Sequence, residues 1–225
     1  MESSASSIKE YRMRILRYNQ EEDKEPQFVS YSVPENARAT VLDALIGIYT
    51  EIDSTLAFRY GCRYQKCGLC SGMVDGRAKC LCMVSLKDGM ELRPLAGLPV
   101  LRDLVIERRF ILDFLSRYQV YIPERKVSKS PENLIANQTY HHLCGCKECL
   151  CCLSHCPRYS FKSAPFSGPY FFVKLAQLHF DPRDGIDRTA QAKTLGISQC
   201  ADCRKCYCPF GIKIYQSAIQ PLLCP

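Results

Sequence analysis

Apolar and polar residues alternate along this chain in two rhythms, and the switches between them mark out its elements. Tyr11, Met13 and Ile15 alternate with Arg12 and Arg14; Val29, Tyr31 and Val33 share one face of the next apolar run; and the polar, proline-containing stretch 19–27 lies between them. A period of two on both sides of a polar connection predicts a β-hairpin. Beyond it, Val41, Leu42, Leu45, Ile48, Tyr49 and Ile52 recur at helical spacing, and Thr40 with Asp43 has the spacing of a capping box in which Asp replaces Glu. Short strands are predicted at 79–86 and 91–95 around the Asp88-Gly89 turn. Leu101, Leu104, Val105, Ile111, Leu112 and Leu115 follow a 3.6-residue period and predict a helix or broken helix. The charged stretch 123–129 reads as a linker, Ser130 and Pro131 as the N-cap and first residue of a helix. A further helix is expected from Pro169, with Phe171, Phe172, Leu175 and Leu178 facing inward.

Sixteen cysteines change this picture, because twelve of them fall into three runs. Cys62-x4-Cys67-x2-Cys70 has the plant-type spacing for a two-iron cluster, and Cys146-x2-Cys149-x2-Cys152-x3-Cys156-Pro157 has the bacterial spacing in which the fourth cysteine serves the other cluster of a pair. Cys200-x2-Cys203-x2-Cys206-x-Cys208-Pro209 mirrors the second run. Cys146, Cys149 and Cys152 are therefore expected to hold one four-iron cluster with Cys208, and Cys200, Cys203 and Cys206 another with Cys156. Pro157 keeps the chain from continuing as helix after Cys156. Gly61, Gly68 and Gly72 allow backbone N–H groups to approach the front cluster's sulfurs. Its fourth ligand comes from farther along, and both Cys80 and Cys82 qualify by proximity. Cys144 competes with Cys146 through its closeness. Cys80, Cys144, Cys151 and Cys224, if they hold no iron, are expected to be buried thiols behaving as small hydrophobes. A zinc site would more often pair two Cys-x2-Cys knuckles than use a three-cysteine loop.

Hairpin, helix and cluster loop follow one another as in a β-grasp ferredoxin domain. The class expected is α+β: a β-grasp [2Fe-2S] ferredoxin domain over 1–122 and an α-helical ferredoxin domain with two cubane-type clusters over 123–225.

Charge and composition narrow the function. The net charge of +7 counts every cysteine as neutral; clusters of roughly −2 each on four thiolates would bring a three-cluster protein near zero. Basic residues are dispersed and lack an aromatic-interleaved stripe, which argues against nucleic acid. Residues 1–30 are polar and charged, with no secretory apolar stretch, so the thiols are expected to stay reduced in a cytoplasm. The most apolar region, 98–115, contains six charged residues and does not read as a membrane span. His141 and His142 are assigned no role. No Gly-x-Ser-x-Gly, phosphate loop or dinucleotide fingerprint is present, so no catalytic residue is expected.

The chain resembles the iron–sulfur subunits of the succinate dehydrogenase and fumarate reductase family in Thr40-Val-Leu-Asp-Ala-Leu45, Asp53-Ser-Thr-Leu-Ala-Phe-Arg59, the Cys62 loop, Asp75-Gly-Arg77, Leu98-Pro-Val-Leu-Arg-Asp-Leu-Val105 and Cys156-Pro-x-Tyr159. The resemblance implies that Cys82 is the fourth two-iron ligand. It implies an electron-transfer subunit of an oxidoreductase complex, passing electrons between an FAD-containing flavoprotein and a membrane-anchor, quinone-binding or cysteine-rich acceptor subunit. Its place would be the cytoplasmic face of the inner membrane, held there by those partners. Three departures stand out. Cys203 occupies a position that is usually not cysteine in respiratory members, which implies a distal [4Fe-4S] where they have [3Fe-4S]; without Cys203 as a ligand the distal cluster would be [3Fe-4S] here too. The Cys206-to-Cys208 spacing is two residues shorter than the family's. Phe161 and Ala201 stand where the family's quinone-site tryptophan and histidine do, which favours an alternative acceptor such as a heterodisulfide-reductase-like subunit or a haem protein, with an unsaturated-acid flavoenzyme upstream.

Overall fold

The computed structural model describes residues 10–35, 39–123, 137–162 and 166–224. They divide into two compact units, 1–96 with 100–106, and 97–99 with 107–225. The architecture is α+β.

The front unit is built on a five-stranded mixed sheet of strands β1 (Glu10–Arg17), β2 (Gln27–Pro34), β3 (Ser71–Val74), β4 (Arg77–Cys80) and β5 (Met90–Arg93), in the order β2-β1-β5-β3-β4. Strands β1 (Glu10–Arg17) and β2 (Gln27–Pro34) form the expected antiparallel hairpin, with Met13 opposite Tyr31 and Ile15 opposite Val29. Met13, Ile15, Tyr31 and Val33 are buried on one face, which fixes the register, because a one-residue slip would turn that row to solvent. Helix α1 (Val41–Gly47) begins as predicted: the Thr40 hydroxyl accepts from the Asp43 N–H while the Asp43 carboxylate accepts from the Thr40 N–H. A wider, π-type turn extends it over Ile48–Ile52.

Two segments differ from the pattern's prediction. The tight hairpin is not at Asp88-Gly89 but between β3 (Ser71–Val74) and β4 (Arg77–Cys80), where Asp75 and Gly76 both take positive φ, the geometry of a two-residue type I′ turn. Strand β5 (Met90–Arg93) then runs parallel to β1. The helix foreseen from Leu101 starts only at Arg109. Ahead of it, β6 (Val100–Arg102) and β7 (Val105–Ile106) pair around Asp103, which has φ +46°. The physical reason is long-range: Asp103 is 2% exposed, its carboxylate accepts from the N–H groups of Tyr18 and Ala57, and Arg17 Nε lies 3.0 Å away. No local helical period can compete with a buried carboxylate satisfied from three directions.

The same arginine reaches Asp53, which also accepts from the Tyr31 and Thr55 hydroxyls. The Thr55 hydroxyl and then Tyr31 hold the Asp53 carboxyl well below the ordinary carboxylate range, and its backbone partner at Thr40 lowers Asp43 in the same way. A depressed folded-state pKa contributes stability above the unfolded value, about pH 4, and that contribution is lost as pH falls through the folded value. Urea midpoints of the front unit should therefore drop between about pH 5 and about pH 2, and Asp53→Asn should flatten that slope. An unchanged slope in the variant would assign the acid sensitivity elsewhere.

The second unit is helical: α2 (Arg109–Arg117), α3 (Gln138–Cys144), α4 (Cys151–His155), α5 (Pro169–His179), α6 (Arg188–Thr194) and α7 (Gln220–Leu223). Helix α2, grouped by its sequence with the front domain, falls in this unit. Helix α5 starts at Pro169 as foreseen and buries Phe171, Phe172 and Leu175, while Leu178 packs at the core's margin. Gly168 precedes it at φ +87°, where a Cβ would lie 2.7 Å from both Leu153 and Tyr159, so only glycine lets α5 begin there. Arg188, 1% exposed, pairs with Asp184 and donates to the carbonyls of Gln119 and Tyr121, fixing the segment after α2 against α6. Most of the foreseen linker 123–129 and the helix start at Ser130 lie outside the described residues. No helix among the described residues is long and apolar enough to cross a membrane.

Candidate metal centres

In the front unit, Arg63, Gln65 and Gly68 take positive φ, and this alternating backbone turns N–H groups inward. Cys62 Sγ accepts from the N–H groups of Tyr64 (3.3 Å), Lys66 (3.1 Å) and Cys67 (3.2 Å), and the Cys62 N–H donates to Cys67 Sγ at 3.4 Å. A Cβ at Gly61 would sit tightly beside them, 3.3 Å from the Leu69 side chain and 3.4 Å from Cys67 Sγ. The N–H groups of Tyr64 and Lys66 lower the Cys62 thiol to about 7, and a hydrogen bond from Cys80 lowers Cys70 to about 6. These two thiols lose their protons most easily, as a cluster ligand must.

Cys70 contacts both Cys80 and Cys82, each of them buried. Cys82 also faces Cys62 and accepts from the Gln65 N–H across the loop, and burial pushes it up to about 11. Cys62, Cys67, Cys70 and Cys82 are thus brought together, with Cys80 hydrogen-bonded to Cys70 beside them.

The second unit gathers eight further cysteines into two groups drawn from distant runs. In the first, Cys146 neighbours Cys149 and Cys208, and Cys152 neighbours Cys146, Cys149, Cys151 and Cys208. Positive φ at Glu148 and Leu150 curls this loop, and the Glu148 N–H points at Cys146. The N–H groups of Ile212, Phe210 and Gly211 turn toward Cys208. A nearly closed cavity is lined by all four thiols together with Tyr170, Val173 and Ile212. In the second group, Cys200 neighbours Cys206, Cys156 and Cys203. The N–H groups of Arg158 and Tyr159 point at Cys156, and the Arg158 guanidinium donates to the Gln199 carbonyl and pairs with Asp202, tying the two cysteine loops.

Burial drives these thiols upward: Cys200 to about 12, Cys206 to about 11, Cys152 well above its usual value, and Cys146, Cys156 and Cys208 less far. Without metal they are neutral at pH 7, and binding iron there must displace protons. Four thiols around one buried cavity, with N–H groups aimed at sulfur, fit an iron–sulfur cluster in donor set.

Of the spare cysteines, Cys80 and Cys151 are buried as expected, but Cys144 and Cys224 are exposed, Cys144 at the last turn of α3 and Cys224 just beyond α7. End-of-helix positions leave them facing solvent. His142, assigned nothing, accepts from the Lys213 N–H at 3.4 Å. Sequence reasoning missed Tyr170, because a tyrosine on the inward face of a helix reads as packing.

A mixed-sheet unit carrying a Cys62–Cys70 loop, joined to a helical unit with two interlocked cysteine groups, defines an iron–sulfur protein of ferredoxin type. Residues 12–113 match the family described as a 2Fe-2S iron-sulfur cluster binding domain. The chain is 30% identical to the fumarate reductase iron-sulfur subunit of Haemophilus influenzae over 76% of its own length and 74% of that protein's. It is 33% identical to a fumarate reductase (CoM/CoB) subunit of Methanothermobacter marburgensis, covering 93% of this chain and 43% of the relative. Against that relative it therefore spans less than half the length. A chain of the Mycobacterium smegmatis Sdh1 complex in the apo form superposes with a TM-score of 0.81 at 26% identity, covering 96% of this chain and 95% of that one. The chain belongs to the fumarate reductase and succinate dehydrogenase iron–sulfur subunit family.

Proposed function

We propose that this chain relays single electrons through three clusters between an FAD-containing flavoprotein and an acceptor subunit. Cys62, Cys67, Cys70 and Cys82 hold a [2Fe-2S] cluster; Cys146, Cys149, Cys152 and Cys208 hold the middle [4Fe-4S]; Cys156, Cys200, Cys203 and Cys206 hold the distal [4Fe-4S]. When bound, the clusters supply reversible one-electron chemistry, while the chain supplies thiolates, N–H donors and exclusion of water. The observation that carries this is the exchange of partners in the helical unit: Cys208 joins the Cys146 run, and Cys156 joins the Cys200 run. Substrate chemistry, on a dicarboxylate or similar unsaturated acid, belongs to the flavoprotein. Isolation of the tagged chain from its own cells should recover an FAD-containing protein, and added succinate or fumarate should change the front cluster's EPR signal. Recovery of the clusters without any flavin would contradict the relay.

The acceptor reading rests on the distal end. There a cleft that reaches Tyr159, whose N–H points at Cys156, is lined by Phe110, Phe114, Phe161 and Phe171 together with the polar side chains of Arg117, Tyr118, Ser160 and Thr194, and Phe161 packs edge-on against Phe110 at 5.2 Å. Phe161 and Ala201 cannot hydrogen-bond a quinone oxygen through their side chains. This favours a second reading in which electrons leave to a cysteine-rich or haem subunit, and the name of the CoM/CoB relative points the same way.

A further inference from the structure

We propose that the Tyr170 hydroxyl donates a hydrogen bond to a sulfur of the middle four-iron cluster, either a cysteinyl Sγ or an inorganic sulfide, and so raises that cluster's reduction potential. The inference rests on the reading of Cys146, Cys149, Cys152 and Cys208 as the ligands of that cluster.

Tyr170 is 1% exposed, yet its hydroxyl oxygen has no hydrogen-bond partner among the described residues. Buried tyrosine hydroxyls are normally paired, and one left alone keeps its full desolvation cost, which phenylalanine would avoid. Tyr170 lines the same cavity as the four thiols, and that cavity's other walls are the apolar side chains of Leu150, Val173, Ile212 and Ile214 among others, with Lys147 the one further polar side chain, to which the hydroxyl makes no hydrogen bond. The orphaned donor and the sulfur-lined space therefore belong together.

The backbone holds the ring in this place. Gly168 and Pro169 set the start of α5, so that Tyr170 occupies its first turn. Phe171 packs edge-on against the ring at 4.9 Å, and Lys174 Nζ lies 5.8 Å from the ring centroid while pairing with the Glu148 carboxylate in the Cys146 loop. Burial, with Glu148 and Cys146 as lesser causes, pushes the phenol far above its usual pKa. Tyr170 thus keeps its proton at neutral pH and can only donate toward a thiolate or sulfide.

A donor of this kind acts on the redox equilibrium because the added electron increases negative charge on the cluster's sulfurs. Hydrogen bonds strengthen with acceptor charge, so the reduced state is favoured over the oxidised one. No bond forms or breaks at Tyr170, and the proton stays on its oxygen throughout.

The test is an EPR-monitored redox titration of the full chain with its clusters assembled anaerobically, comparing wild type with Tyr170→Phe. The variant keeps the ring packing and removes only the hydroxyl. Its middle cluster should be harder to reduce by on the order of tenfold in the equilibrium constant, a midpoint lower by about 59 mV for one electron, with the front and distal clusters unmoved. Resonance Raman in D2O should show a larger isotope shift of the middle cluster's Fe–S stretches in wild type than in the variant, in which only the backbone N–H donors to Cys146 and Cys208 remain. Site-specific 3-fluorotyrosine at position 170, a stronger donor of nearly the same shape, should move the midpoint upward even if the phenylalanine variant assembles poorly. An unchanged midpoint in both substitutions, with the same D2O shift in all three proteins, would overturn the proposal. A wild-type protein without any middle four-iron signal would instead contradict the ligand reading itself.

Discussion

Replacement of Cys208 by serine should cost the protein about four irons per chain and most of the folded stability of its helical unit, leaving the front cluster intact. The expectation follows from how little else holds that region. Helices α3, α4 and α7 span seven, five and four residues, far below the length at which a helix is stable alone. Their cysteine loops converge on a cavity that the four thiols line together with side chains of α5 and of the segment after Cys208. Metal binding is folding energy when the site exists only in the folded state, and structural sites can contribute on the order of 10 kcal/mol. Loss of one corner therefore removes both the cluster and the tie between two loops roughly sixty residues apart, a separation at which loop closure without a cross-link is costly. Iron analysis together with circular dichroism checks this. Retention of the middle cluster would move the fourth ligand elsewhere, which the shortened Cys206-to-Cys208 spacing makes a pointed question.

Replacement of Cys203 by serine should act more narrowly. Cys203 is half-buried and neighbours Cys156, Cys200 and Cys206, with the N–H of Cys203 donating to the Cys200 carbonyl at 3.1 Å. Three thiols would remain after the substitution, and three corners suffice for a three-iron centre. The iron content should fall by about one per chain, and the oxidised protein should acquire the EPR signal of a three-iron cluster. Stability should change little, because the Arg158 ties to Gln199 and Asp202 survive. A distal spectrum identical to wild type would mean that Cys203 is not its ligand.

How far the sequence reached depends on the range of the interactions that shape each element. The hairpin, the Thr40 capping box and the start of α5 rest on residues within a few positions of one another, and period and spacing reveal them. The convergence of Cys208 on the Cys146 loop and of Cys156 on the Cys200 loop was equally legible, because the spacing of the runs points to it. Strand β3 was hidden by its shortness and by Asp75-Gly76, a turn signal overshadowed by the similar pair at Asp88-Gly89. Strands β6 and β7 could not be foreseen, since Asp103 draws its partners from Tyr18 and Ala57. The exposure of Cys144 and Cys224 and the orphaned hydroxyl of Tyr170 likewise depend on three-dimensional surroundings that a pattern of apolar positions does not encode.

Three clusters on twelve cysteines, the distal one with four irons, set the iron and sulfide content expected of this chain. Iron and acid-labile sulfide analysis of the anaerobically purified protein measures both. About ten irons per chain are expected, matched by sulfide and accompanied by EPR signals of one two-iron and two four-iron centres on reduction. About two irons with no four-iron signal, or zinc in place of iron, would contradict the three-cluster assignment.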